Sequence, residues 1–295
     1  MVRSLASWAG ADLSPAAGEG PVAFSAATGP DQLLAAYRAG AYPLPAPDDI
    51  GRTFNEFSYE GEVEADRIWL VAADAGDPYQ VSWWSPDPRP VLPVGEVHLS
   101  RRLARQLRRT GWTTTLDRDF EQVVHACRVG REPQWLTDDL VRSMLLLHQR
   151  GWAHSVEVWQ DGALVGGVFG VRIGAVLSMD SMFRLRSGAA TTAVADLADR
   201  FAQVGGAVLD AQWDSPHVRA LGAVPLPRDQ YLKLLADQAP APDPLPVDPR
   251  PAHRLVPAAE PPARSAGPGA ATGPAWSGRR SGRWGPGWRR PPVAR

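Results

Sequence analysis

Two apolar, β-prone runs, at 154–159 and 163–171, flank Gln160-Asp161-Gly162, and this pairing most restricts what the chain can fold into. Glycine supplies the positive φ of a tight hairpin turn, so the two runs read as antiparallel neighbours. Gly174 marks a second turn into 175–183, extending the β region. An Ala-rich helix over 189–204 follows, then a strand over 207–213 and short helices near 217–221 and 229–236. An antiparallel β run succeeded by helix, strand and helix is an α+β order. Upstream, Ser100 caps a helix running to about Arg109, and 120–127 reads as helix. Thr137 caps another helix, with Leu140, Met144, Leu147 and His148 on one side.

Before residue 94 the signals are weaker. Residues 1–30 are Ala/Gly/Ser-rich, and Leu33, Leu34 and Tyr37 form a helical stripe after Asp31 as N-cap, ended by Gly40. The stretch 45–80 reads as an acidic insertion in which Asp48, Asp49, Glu56, Glu60, Glu62, Glu64 and Asp66 alternate with aromatics; strands are expected near 54–59 and 67–72. Beyond Gln238 the chain is Pro/Ala/Gly-rich with too few large apolar residues for a core, so disorder is expected. Its last part mixes Arg279, Arg280, Arg283, Arg289 and Arg290 with Trp284 and Trp288. That mixture suits either nucleic-acid contact or a solvated tail. The expected division is an N-terminal domain over 1–93, a larger domain over 94–238 and a tail over 239–295.

Charge and cysteine usage narrow the function classes. The 295 residues carry a formal net charge of −1, which excludes a globally basic nucleic-acid binder and leaves only local patches. Lys233 is the only lysine among the bases. The single cysteine, Cys127, cannot form an internal disulfide and points to a reducing compartment. No apolar run reaches the ~20 residues of a membrane span, and the start lacks a basic-then-apolar signal pattern. A soluble cytoplasmic protein without membrane contact is expected.

Three constellations carry chemistry. Trp83-Trp84-Ser85-Pro86-Asp87-Pro88-Arg89 is a stiff, extended loop, since each proline fixes its own φ and restricts the residue before it. Its tryptophans suit either a stacking platform for a base or a plug between two lobes. Arg101, Arg102, Arg105, Arg108 and Arg109 crowd one helix with no acid between Ser100 and Thr110. Spacings of three and four align Arg101, Arg105 and Arg108, which suits a phosphate backbone or a solvated face. In Asp210-Ala211-Gln212, strand alternation places the acid and the amide on one face. Such a pair either manages a proton on an attacking amine or fixes the sheet by hydrogen bonding. Asp180-Ser181-Met182-Phe183 ends a neighbouring strand. His154 and His217 have no ligand partner at metal-binding spacing, and no P-loop, dinucleotide fingerprint or G-x-S-x-G elbow occurs.

These residues together resemble the leucyl/phenylalanyl-tRNA–protein transferase family. The matching segments run collinearly from about Pro30 to Leu235. They include Ala36-Tyr37-Arg38-Ala39-Gly40, the Trp83 to Arg89 loop, His98-Leu99-Ser100-Arg101, Trp135-Leu136, His154-Ser155-Val156-Glu157-Val158-Trp159, Asp180 to Phe183 and Asp210-Ala211-Gln212. The resemblance implies a small N-terminal domain and a larger one related to the acetyltransferase (GNAT) fold. It implies transfer of Leu or Phe from Leu-tRNA or Phe-tRNA to proteins with N-terminal Arg or Lys, marking them for degradation, by a monomer without metal or organic cofactor. By position, Asp210 and Gln212 correspond to the catalytic acid/amide pair, and Asp180, where the family has Glu, to the contact with the reacting amino group. Val168, Leu177, Met182, Phe183, Leu197 and Leu209 correspond to the acyl side-chain pocket. Trp84 and Trp135 correspond to contacts of the 3′ adenosine, and Arg101, Arg102, Arg105, Arg108 and Arg109 to the acceptor-stem site.

The chain departs from the family pattern at several places. Asp180 is one methylene shorter than Glu, Gly188 and Thr191 replace Asn and Lys, and Ser25-Ala26-Ala27-Thr28 replaces Gly-Gly-Asp-Leu. Leu177 and Val168 are smaller than usual. Two alternatives therefore stand beside the transferase. One is an acyl-CoA-dependent N-acyltransferase, whose pyrophosphate loop would fall at 184–190, where Leu185 occupies the position requiring Arg or Gln. The other is a non-catalytic paralogue that binds tRNA or N-terminal Arg or Lys.

Overall fold

The computed structural model describes residues 4–5, 7–72, 76–236 and 243–256. The architecture is mixed α and β, built on two sheets. The first contains β1 (Ser4–Leu5), β2 (Pro21–Ser25), β3 (Tyr42–Pro45), β4 (Trp69–Val71) and β5 (Val81–Trp84), in the order β1-β4-β2-β5-β3. Two helices accompany it, α1 (Pro30–Ala39) and α2 (Asp49–Glu64). α1 starts at Pro30 with Gly29 as N-cap, so Asp31 is a first-turn acid and pairs with Arg150 at 2.6 Å. α2 occupies the stretch expected to hold a strand at 54–59. Asp48 caps it by accepting from Gly51 N at 2.8 Å, and the i,i+4 pair Arg52–Glu56 closes at 2.9 Å. These helix-specific contacts outweigh the local aromatic alternation.

The second sheet holds β6 (Arg89–Pro93), β7 (Thr113–Leu116), β8 (Ala153–Gln160), β9 (Ala163–Ile173), β10 (Val176–Ser178), β11 (Ser181–Arg184), β12 (Val208–Asp210), β13 (Val224–Leu226) and β14 (Arg250–Pro251). Its order is β13-β6-β12-β10-β9-β8-β7-β14, with β11 also on β9. The helices are α3 (Arg101–Leu107), α4 (Phe120–Arg128), α5 (Asp138–Gln149), α6 (Ala189–Gln203), α7 (Pro216–Ala220) and α8 (Arg228–Ala236). Ser100 and Thr137 cap α3 and α5 through their hydroxyls, as expected. α6 lies on β8 and β9, and Leu197, Ala193 and Phe201 join Leu177, Val168 and Leu209 in the main core. Its alanines let the helix axis approach the sheet.

The sheet forks at β9. β9 pairs antiparallel with β11 over Gly166 to Phe169 and with β10 at Arg172 and Ile173. The expected single strand over 175–183 is thus two strands with Met179 and Asp180 between them. Gly170 makes the fork passable, because a Cβ there would lie 1.6 Å from the Ser178 carbonyl oxygen.

Two expected boundaries move. Arg89–Pro93 pairs with β12 and β13, so the strand assigned to the N-terminal domain by a border at 93 belongs to the larger sheet. The tail expected from 239 contains described residues 243–256, in which β14 pairs with β7. The buried Arg200 donates to Pro246 O at 2.5 Å, and Arg254 pairs with Asp196 at 2.6 Å. Long-range partners recruit this Pro-rich segment, which composition alone assigns to solvent. The Arg/Trp-rich stretch at 279–290 lies outside the described residues. Among the described residues no helix is long and apolar enough to cross a membrane.

Candidate active site

The two sheets meet at a buried polar cluster on the ends of β10, β12 and β6. β12 runs between β10 and β6, with Asp210 in register with Ser178 and Val91. Asp210 is fully buried and accepts two hydrogen bonds on each oxygen. Arg89 Nε and the Gln212 backbone N–H reach Oδ1 at 2.9 and 2.8 Å. Arg89 Nη2 and the Tyr231 hydroxyl reach Oδ2 at 2.7 and 2.9 Å. The guanidinium of Arg89 is itself sandwiched, 4.6 Å from the Tyr42 ring centroid and 4.7 Å from that of Tyr231. Burial and the Asp210 charge hold the Tyr231 hydroxyl well above its ordinary range, so it remains a donor.

Asp180 sits at the fork and forms no ion pair among the described residues. Its backbone N–H donates to Phe169 O at 3.0 Å. Oδ1 accepts from the Tyr37 hydroxyl and from Gln212 Nε2, each at 2.5 Å, and Oδ2 accepts from Ser178 Oγ at 3.1 Å. Burial raises its pKa to about 6 against the three hydrogen bonds, with Asp210 adding to the rise. A carboxylate poised there exchanges a proton near neutral pH.

The geometry separates the acid and amide in a way that alternation does not anticipate. β12 ends at Asp210, and Gln212 has a left-handed φ of 61°. A turn therefore, not strand pleating, sends the Gln212 side chain to Asp180 and its backbone N–H to Asp210. The Trp83 to Arg89 segment, expected to be a loop throughout, joins the sheets with Trp83 and Trp84 ending β5 and Arg89 starting β6. Trp83 is buried, 5.2 Å edge-on to Trp8, with Nε1 donating to Ser25 Oγ at 2.9 Å. Trp84 is half-buried and lies 5.0 Å from Trp213, the residue following Gln212.

The other expected site residues fall in several places. Val168, Leu177, Leu197 and Leu209 are fully buried in the core. Met182 and Phe183 instead line an open cavity of about 500 Å³ with Arg131, Arg184 and His217. A second cavity of about 260 Å³, beside α3 and the start of α6, is lined by Arg102, Arg184, Gly188 and His217 among others. Among their described lining residues no carboxylate occurs. Trp135 is half-buried in the turn before Leu136, and the ring contact of Trp84 is with Trp213, not Trp135. Arg101, Arg102, Arg105, Arg108 and Arg109 are all exposed, and Arg101, Arg102, Arg105 and Arg109 form no ion pair among the described residues.

Sequence reasoning missed Tyr37, Ser178, Arg89 and Tyr231 as site residues. Arg89 and Tyr37 lie within the segments that resemble the family, but no local pattern tells which carboxylate each one contacts. Among the described residues no group of three or more His, Cys, Asp or Glu side chains is placed to hold a metal ion.

The sequence matches the family described as leucyl/phenylalanyl-tRNA protein transferase over residues 91–236. A protein of Proteus mirabilis named leucyl/phenylalanyl-tRNA–protein transferase is 44% identical over 154 residues, covering 52% of this chain and 67% of the relative. One of the same name from Xanthomonas campestris pv. campestris (strain 8004) is 38% identical over 221 residues, covering 72% and 88%. Among solved structures, a GCN5-related N-acetyltransferase from Kribbella flavida aligns with 48% of this chain and 55% of its own at 18% identity, with a TM-score of 0.31.

Proposed function

The chain belongs to the leucyl/phenylalanyl-tRNA–protein transferase family, and from that premise we propose that it moves Leu or Phe from aminoacyl-tRNA to the N-terminal Arg or Lys of an acceptor protein. In that reading the product is marked for degradation, and the enzyme is a cytoplasmic monomer. The observation that carries the assignment of roles is the Tyr37–Asp180–Gln212 cluster beside the fully coordinated Asp210.

The ester of an aminoacyl-tRNA is already activated, so the protein has to align an amine and manage a proton. The acceptor nitrogen attacks the ester carbonyl carbon. The new C–N bond forms, the bond from that carbon to the ribose oxygen breaks, and one proton passes from nitrogen to the leaving oxygen. Asp180 is the group that handles this proton, because its carboxylate is uncompensated and its pKa is raised to about 6. Gln212 and Tyr37 orient that carboxylate through Oδ1. Asp210 already accepts four donors, so its part is positioning: it fixes the Gln212 backbone and locks Arg89 in place.

Met182 and Phe183, on the open cavity, are the first side chains to meet the Leu or Phe side chain. Val168, Leu177, Leu197 and Leu209 form the packed floor behind them, and such an apolar wall separates substrates by only ~1–3 kcal/mol per methylene. The cavity beside α3, with Arg102 and Arg184, and the exposed arginines of α3 suit the phosphates of the tRNA end, with Trp84 and Trp135 as stacking surfaces for its terminal base. Incubation of the full chain with charged Leu-tRNA or Phe-tRNA and an Arg-terminated peptide tests the assignment. Transfer above a no-enzyme control is expected. Its absence with folded protein removes the transferase reading.

A further inference from the structure

α2 takes no part in the reaction proposed above. Ile50, Phe54 and Phe57 follow a spacing of four and three, which aligns them along one face of this helix. That face is turned outward: the three side chains are 79%, 65% and 88% exposed. Gly61 continues the stripe, and a Cβ added there would meet nothing within 4 Å. The opposite face does the work of attachment. Val63 is buried in a small core with Phe24, Ile68 and Tyr79, Tyr59 packs 5.5 Å from Phe24, and Asn55 Nδ2 donates to Tyr79 O at 3.1 Å. The helix is therefore anchored without its apolar stripe, which leaves two phenylalanines and an isoleucine in water. Removing such side chains from water is favourable.

The charge around the stripe selects what covers it. Asp49, Glu60 and Glu64 lie along one flank of the stripe at helical spacing, all exposed and without an ion pair among the described residues. The single base of α2, Arg52, lies on the other side of the helix and is engaged by Glu56 at 2.9 Å and Asp77 at 2.7 Å. Two copies packed stripe to stripe and antiparallel would bring the same acidic flanks together. An anionic lipid surface meets the same repulsion. A helix that presents apolar residues to the stripe and Lys or Arg to its acidic flank satisfies both features. We infer that α2 is a docking helix for a basic amphipathic helix of a partner protein. This surface is separate from the transfer site and does not rest on the transferase reading.

The test uses the full chain and a labelled amphipathic Leu/Lys peptide of about four helical turns, with a control in which every Lys is replaced by Glu. Fluorescence anisotropy should show micromolar binding of the Lys peptide and binding at least about tenfold weaker for the Glu peptide. Phe54→Ser with Phe57→Ser, and separately Glu60→Lys with Glu64→Lys, should each weaken the Lys peptide by at least about tenfold. Circular dichroism should leave both variants indistinguishable from the parent. No binding by the parent, or equal binding by parent and both variants, overturns the proposal. A dimer in sedimentation that is lost in the Phe54→Ser, Phe57→Ser variant assigns the face to a second copy and overturns it too.

Discussion

Asp180 is held by three hydrogen-bond donors and, among the described residues, by no ion pair, which makes it costly to ionise. Its folded pKa of about 6 lies above the ordinary carboxylate value near 4, so the folded protein binds the proton more tightly than the unfolded chain. Stability from this group is full below about pH 4 and is lost as pH rises through about 6, a difference of about 3 kcal/mol. Asp180→Asn should therefore raise the Tm at pH 8, leave it unchanged at pH 4, and abolish transfer. In the parent, single-turnover transfer should rise with pH along a limb centred near 6, and a rate that is flat from pH 5 to 8 would count against Asp180 as the proton acceptor. Glu157 shows the same physics away from the reaction. Burial lifts it to about 7, only partly offset by the Ser155 and Thr115 hydroxyls, each at 2.5 Å. Glu157→Gln should raise stability at pH 8 and not at pH 4, as followed by thermal melts at the two values.

At the level of elements, the Arg89–Asp210 pair ties the start of β6 to the end of β12. Removing one partner of a fully buried pair leaves an uncompensated charge, so Arg89→Met should cost about 3–5 kcal/mol. The double variant Arg89→Met, Asp210→Leu should recover most of that stability and none of the transfer activity, measured by urea unfolding and the peptide assay. Recovery of transfer in the double variant would show that Asp210 positions nothing the reaction needs. The elements themselves were largely legible. Ser100 and Thr137 announced α3 and α5 because an N-cap hydroxyl acts within three residues of its own position. Within α2 the alternation of aromatics and acids predicts a strand at 54–59, whereas the cap at Asp48 starts a helix.

For the whole molecule, the segment 243–256 closes the larger sheet. Leu245 and Ala252 are buried, Arg172 donates to Asp243 O at 2.8 Å, and β14 extends the edge at β7. Arg200 and Asp196, an i,i+4 pair buried on α6, are satisfied through this segment and Thr114. A chain ending at residue 242 should thus melt well below one ending at 256, because it exposes Arg200 and Asp196 without their partners. Equal melting temperatures by calorimetry would show that the segment adds no stability.

Local pattern was enough to determine the α+β order, the hairpin at Asp161-Gly162, most helix starts and the motifs that place the chain in its family. Each of these depends on residues a few positions apart, where turn chemistry, capping and periodicity act. Only the tertiary structure decided which partners hold each buried carboxylate. Arg89 neutralises Asp210 across 121 residues, and Tyr37 reaches Asp180 across 143. Packing chooses the partner of a buried charge, and that choice leaves no mark in the neighbouring sequence.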